Sequence, residues 1–219
     1  HVKAYVVNRG MYIAIPSLDL VLTSNGFGVV QTQDMAPAIP ERVNRLRQEC
    51  YNAADRAFDA LIKGLPGNEL TCDKLYDGRA WQQLTRHLVW TAEDFQQYCK
   101  PDSQALNRTE MMQGMPVVTL IENKIRDAIS GEQFEAFLDL MRGGTASWTQ
   151  TYAIQLAKAW LTAAYAAPDH RVVREDGMLL SFMDEHPEDF PKYYSSNQYA
   201  ARHAESFQTK KTDGCFIFR

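Results

Sequence analysis

The sequence has no Cys-x-x-Cys pair, no Gly-x-Ser-x-Gly elbow and no glycine-rich loop ending in Lys-Ser or Lys-Thr, so zinc-ribbon, serine-hydrolase and phosphate-loop chemistry have no foothold. Apolar runs are short. The longest, residues 11–22, is interrupted by Pro16 and Asp19 and falls short of the ~20 residues that a membrane helix needs, so no membrane contact is expected. The five histidines, His1, His87, His170, His186 and His203, are scattered, and no two are spaced to ligate one metal from one helical face. No metal site, no cofactor site and no catalytic residue is therefore predicted.

Cysteine is sparse and widely spaced. Cys50, Cys72, Cys99 and Cys215 read as reduced thiols in a chain of 219 residues, which is large enough to fold without staples. Their even number keeps an oxidised, exported form open, as does a leader removed before His1. Strong charge of either sign is also lacking: the net charge of -4 gives no reason to predict a dedicated nucleic-acid binder, and DNA contact is not predicted. A basic bias on one helix, from Arg42, Arg45, Arg47, Arg56 and Lys63, is tempered by Asp55 and Asp59 and reads as a solvated face.

What is present is apolar patterning. Residues 3–7 and 11–15 read as extended β-branched and aromatic runs, and residues 18–32 as a hairpin turning at Ser24-Asn25-Gly26. Pro37 and Pro40 bracket a linker. From Pro40 to Gly64, apolar residues recur at spacings of three and four through Val43, Leu46, Cys50, Ala54, Ala57, Phe58 and Ile62, which predicts a long helix with one buried face. Trp81, Leu84 and Leu88 predict a second helix, Thr91-Ala-Glu-Asp a third, and Met115-Pro116 the entry to a fourth. Ser130-Gly-Glu-Gln has the spacing of a capping box, Ser147 opens a longer helix towards Pro168, and residues 177–185 make one more. Cys215-Phe-Ile-Phe reads as a terminal strand whose partner is the N-terminal strand set.

Chemistry-bearing groups have plainer explanations. The acids Asp184, Glu185, Glu188 and Asp189 suit a solvated helix boundary, Asn107-Arg-Thr is a chance-level glycosylation pattern, and Cys50 lies on an apolar stripe. Aromatic density near the C-terminus is the nearest approach to a binding surface. Its residues either present an interface or anchor a thin segment to its own bundle.

The run Ser17-Leu-Asp-Leu-Val-Leu-Thr-Ser-Asn-Gly-Phe-Gly-Val-Val, with Met35-Ala-Pro-Ala and Glu41-Arg-Val-Asn-Arg-Leu, resembles an uncharacterised family of Bacteroidetes prophages and phages. So do Glu188-Asp-Phe-Pro-Lys-Tyr-Tyr-Ser-Ser-Asn-Gln-Tyr and Gly214-Cys-Phe-Ile-Phe. Where family members have a serine before the helix, this chain has Ile39-Pro40, and proline at the first turn replaces the cap sterically. The resemblance implies a virion structural protein of the head–tail connector or ring kind, in the host cytoplasm and the virion, and implies no catalytic residues.

The expectation is an α+β, mostly α, single domain over residues 1–219: a β segment (1–36), a bundle (40–167) and an aromatic-rich segment ending in a strand (168–219). About five to seven helices would carry a small β element built from the N-terminal hairpin and the C-terminal strand. Function would be non-enzymatic assembly as a homo-oligomer, a ring being one closed form, with other virion proteins. Candidate interface residues are Phe27, Phe190, Tyr193, Tyr194, Tyr199, Phe216 and Phe218. The alternative is an exported periplasmic or cell-surface binding protein, and a third reading is an enzyme whose site assembles from distant residues.

Overall fold

The computed structural model describes residues 1–18, 20–23, 26–29, 40–66, 78–103, 106–167 and 174–204. Ten helices lie among them: α1 (Val2–Leu18), α2 (Pro40–Gly64), α3 (Arg79–Leu84), α4 (Ala92–Cys99), α5 (Arg108–Ile129), α6 (Gly131–Met141), α7 (Trp148–Ala166), α8 (Arg174–Asp184), α9 (Pro191–Tyr194) and α10 (Asn197–Arg202). The fold is helical, and the expected α+β arrangement of five to seven helices with a β element joining the chain ends is overturned. Among the described residues the only strands are β1 (Leu20–Thr23) and β2 (Gly26–Val29), an antiparallel ribbon from Leu20 opposite Val29 to Thr23 opposite Gly26 that pairs with nothing else. The expected strand at 215–218 lies outside the described residues.

The sharpest correction is α1. Residues 3–7 and 11–15, expected as strands, form one helix with Pro16 inside its last turn. β-branched residues are only weakly disfavoured in a helix, and packing overrides that preference when one face finds a partner. Here Tyr5, Asn8, Tyr12 and Ile15 recur at helical spacing. Tyr5 packs on Phe58 at 5.5 Å and Tyr12 on Tyr51 at 5.1 Å between ring centroids, Ile15 is buried, and the Arg47 guanidinium lies over the Tyr12 ring.

The main core lies between α4, α5, α6, α7 and α8. Val118, Ile121, Ile125 and Ile129 form the buried stripe of α5 and meet Phe134, Phe137 and Leu138 of α6, Ala157, Trp160 and Leu161 of α7, and Leu179 and Met183 of α8. Removing one such isoleucine side chain costs about 2–5 kcal/mol in lost transfer energy and cavity formation. A smaller cluster of Ile62, Trp81 and Trp90, with Phe58 and Met141 against it, ties the end of α2 to the bundle. The helix expected through Leu88 stops at Leu84, and Leu88 to Trp90 continue as a buried irregular segment.

Two boundaries differ for a physical reason. α5 begins at Arg108 rather than at Met115-Pro116, because Asn107 accepts the Glu110 N–H while Glu110 accepts the Asn107 N–H. That reciprocal cap starts the helix and leaves Pro116 inside it. At the next junction α5 and α6 are separated by Ser130 alone, with φ 80° and ψ 149°, a conformation costly for any residue with a Cβ. Its hydroxyl accepts the Gln133 N–H, as the capping pattern implies, but the Gln133 carboxamide turns away to the Tyr193 N–H.

Candidate functional site

Three buried ionisable groupings come first, because they are where chemistry would start. On α2, Asp59 lies one turn after Asp55 and is buried, not solvated as its sequence position suggests. Its carboxylate accepts from the Ala92 N–H at 2.7 Å and from Arg108 Nη1 at 2.5 Å, and Arg108 also covers the Phe58 ring. Asn52, Asp55, Arg56, Leu106 and Asn107 complete the lining of a small cavity of about 100 Å³ there. Asp55 Oδ2 is buried without a hydrogen-bond partner among the described residues. Burial pushes both carboxyls above the usual aspartate range, against the opposing pull of their hydrogen bonds and of Arg108. Chemically this is a joint: Asp59 is saturated, its partners come from α5 and the start of α4, and only one Asp55 oxygen is left over. Lys63 to Glu93, at 2.7 Å, and Tyr51 to Thr109, at 2.9 Å, fasten the same seam.

The second grouping is His87 with Glu122. Arg86 Nε donates to His87 Nε2 at 2.9 Å, so the ring proton sits on Nδ1 and is donated to Glu122 Oε2 at 2.6 Å. The other Glu122 oxygen accepts the Leu88 N–H at 2.6 Å, and the His87 carbonyl accepts from Trp90 Nε1. Every polar atom is committed, so the pair pins the irregular segment to α5 and presents no free base. Sequence reasoning had no signal for it, since the partners lie 35 residues apart. Cys99 is the third group: burial, then the Glu122 charge, pushes its thiol up to about 12, out of reach of thiolate chemistry at neutral pH. Cys50 is half-buried. Among the described residues no cluster of three metal-ligating side chains occurs and no helix is long and apolar enough to cross a membrane.

The aromatic candidates divide. Phe190 and Tyr193 are fully buried, packed on Phe137 and on Tyr199 respectively, so they anchor the C-terminal segment to its own bundle. Tyr194 and Tyr199 are half-buried and stack on each other at 4.4 Å. Phe27 belongs to β2, and Phe216 and Phe218 lie outside the described residues. The acids around Pro187 are partly engaged: Asp184 pairs with Arg202 at 2.6 Å, and Asp189 accepts from Ser147 and Thr149.

Surface apolarity is concentrated elsewhere. Of the eleven large apolar side chains exposed among the described residues, five are on α1: Val2, Val6, Val7, Met11 and Ile13. At ~100° per residue, Val2, Val6 and Ile13 fall within ~40° of one another, and Val7 and Met11 lie on the opposite flank. Gly10 and Ala14 fill the space between, leaving Lys3 and Ser17 as the polar residues of the outer side. Three more, Trp148, Tyr152 and Met178, lie at the start of α7 and on α8. Trp148 is 71% exposed and stacks flat on Tyr152 at 5.4 Å, with Phe182 edge-on to both.

Residues 1–74 match a family of unknown function (DUF6712). The matched stretch takes in α1, the ribbon and α2. No curated protein and no solved structure matches the chain.

Proposed function

We propose that this protein is a non-catalytic assembly component that docks through the outer face of α1, the subunit contact being with further copies of the chain. The carrying observation is that α1 is apolar on the side facing away from α2, where Val6, Val7 and Ile13 are each at least 59% exposed. A helix apolar all round is ordinarily a buried helix, and its second side needs a cover.

Magnitudes limit what α1 achieves alone. Burying one aliphatic side chain fully is worth about 1.5–3 kcal/mol, so five half-exposed ones offer roughly 5 kcal/mol. Association costs about 4–15 kcal/mol in lost translational and rotational freedom. A stable contact therefore also requires complementary polar or aromatic groups on the opposing surface. Asp59 and the His87–Glu122 pair support the same reading, since both are spent on joining elements. The terminal motifs supply the setting: a virion protein of the head–tail connector kind, assembling with copies of itself and other virion proteins.

Light scattering on the eluting chain tests this with Val6→Gln and Ile13→Gln combined, changes that keep the helix and remove apolar surface. The native chain should associate as concentration rises and the double variant should remain a folded monomer. A native chain that stays monomeric at high concentration contradicts the proposal.

A further inference from the structure

Two exposed apolar surfaces stand out among the described residues, and their charges are opposite. The outer side of α1 carries one charge, Lys3, and α1 has no acidic residue, its Arg9 being turned over the Tyr12 and Tyr51 rings towards α2. The second surface is the Trp148, Tyr152 and Phe182 platform, extended along α8 by Met178 and past its end by His186, whose ring lies 4.4 Å from Phe182. Its rim is acidic. Asp189 accepts from Thr149 at 2.6 Å and from Ser147 at 3.2 Å, the two neighbours of Trp148, which places the 185–189 turn beside the indole. Glu185 and Glu188 in that turn are exposed and have no ion pair among the described residues, whereas Asp184 is neutralised by Arg202.

Resting on the reading of α1 as a subunit contact, we infer that the seat for α1 is this α7–α8 platform on the next copy. Valine, methionine and isoleucine side chains of α1 would cover the Trp148 and Tyr152 rings, and Lys3 would face the Glu185 and Glu188 carboxylates. Flat aromatic rings offer large contact area with little entropy to lose, and complementary rim charges fix orientation. Two different patches are used, so the contact is head-to-tail. Repetition then closes a ring or extends a filament, according to the rotation between copies.

Complementation in the full chain tests it. One variant is blocked on α1 (Val6→Gln with Ile13→Gln), the other on the platform (Trp148→Ala with Glu188→Lys), and circular dichroism confirms that both fold. Each alone should be monomeric, and an equal mixture should form complexes that stop at two chains, because one intact α1 meets one intact platform. A platform variant that still associates alone would overturn the seat while leaving α1 as the contact. An α1 variant that still associates would overturn the α1 reading, and a mixture that stays monomeric would again overturn the seat. The exposed pair Lys3→Glu and Glu188→Lys gives a milder arm. Each reversal should weaken association by about two- to fivefold at low salt, and the two together should restore it. Absence of restoration counts against the seat.

Discussion

Gln133 Oε1, near the start of α6, accepts the backbone N–H of Tyr193 at 3.2 Å, across 60 residues of sequence. The glutamine is 3% exposed and Tyr193 is fully buried, so this bond latches the C-terminal helices onto the bundle where water cannot substitute. Gln133→Leu keeps volume and removes this acceptor, leaving the Tyr193 N–H with its local bond to the Phe190 carbonyl at 3.1 Å and without its tie to α6. Urea denaturation should show a loss of about 0.5–1.5 kcal/mol, the net worth of one hydrogen bond. An unchanged midpoint would show that the latch carries no weight.

Asp55 makes a pH prediction. Its carboxyl is held above the usual aspartate range by burial, so the charged form is penalised in the folded state. The folded protein therefore binds this proton more tightly than the unfolded chain, and stability falls as pH rises from the unfolded aspartate value of 3.8 through the raised folded value. Asp55→Asn removes the penalty while keeping an oxygen acceptor. The variant should melt higher than the parent at neutral pH, and the difference should shrink towards zero below pH 3.8. A melting temperature that falls at neutral pH would show that attraction to Arg108 outweighs burial.

Ser130 separates two competing effects at one position. Its hydroxyl caps α6, and its φ of 80° strains any residue with a Cβ. Ser130→Ala loses the cap and keeps the strain, at a cost of about 1 kcal/mol. Ser130→Gly loses the cap but relieves strain of about 1–3 kcal/mol, so it should be at least as stable as the parent in chemical denaturation. A glycine variant less stable than the alanine one would contradict the strain.

The sequence made α2 and α7 legible because each carries a local signal: Pro40 and an apolar stripe in one, Ser147 as the opening residue in the other, where the structure adds Gln150 to complete a capping box. It hid α1. Val6, Val7, Ile13 and Ile15 favour strands locally, while the helical spacing of Tyr5, Tyr12 and Ile15 gains meaning only once Phe58 and Tyr51 of α2 stand opposite. The start of α5 is encoded in Asn107-x-x-Glu110, a capping pattern that competes with the stronger helix-entry signal of Pro116. The buried Asp59 was not readable, since its partners at Ala92 and Arg108 lie 33 and 49 residues away. Of the interface residues, the sequence located the aromatic C-terminal region but not which rings face inward. Phe190 and Tyr193 fill the core, while Trp148 and Tyr152, in the first turns of α7, remain outside.

The most direct test of the account is photo-crosslinking from α1. A benzophenone amino acid at position 13, in an equal mixture of isotopically light and heavy full-length chains, reports by mass spectrometry whether α1 touches its own chain or another. Mixed light–heavy adducts between position 13 and a second chain are predicted. Adducts confined to single chains, at concentrations where the protein is folded, would contradict it.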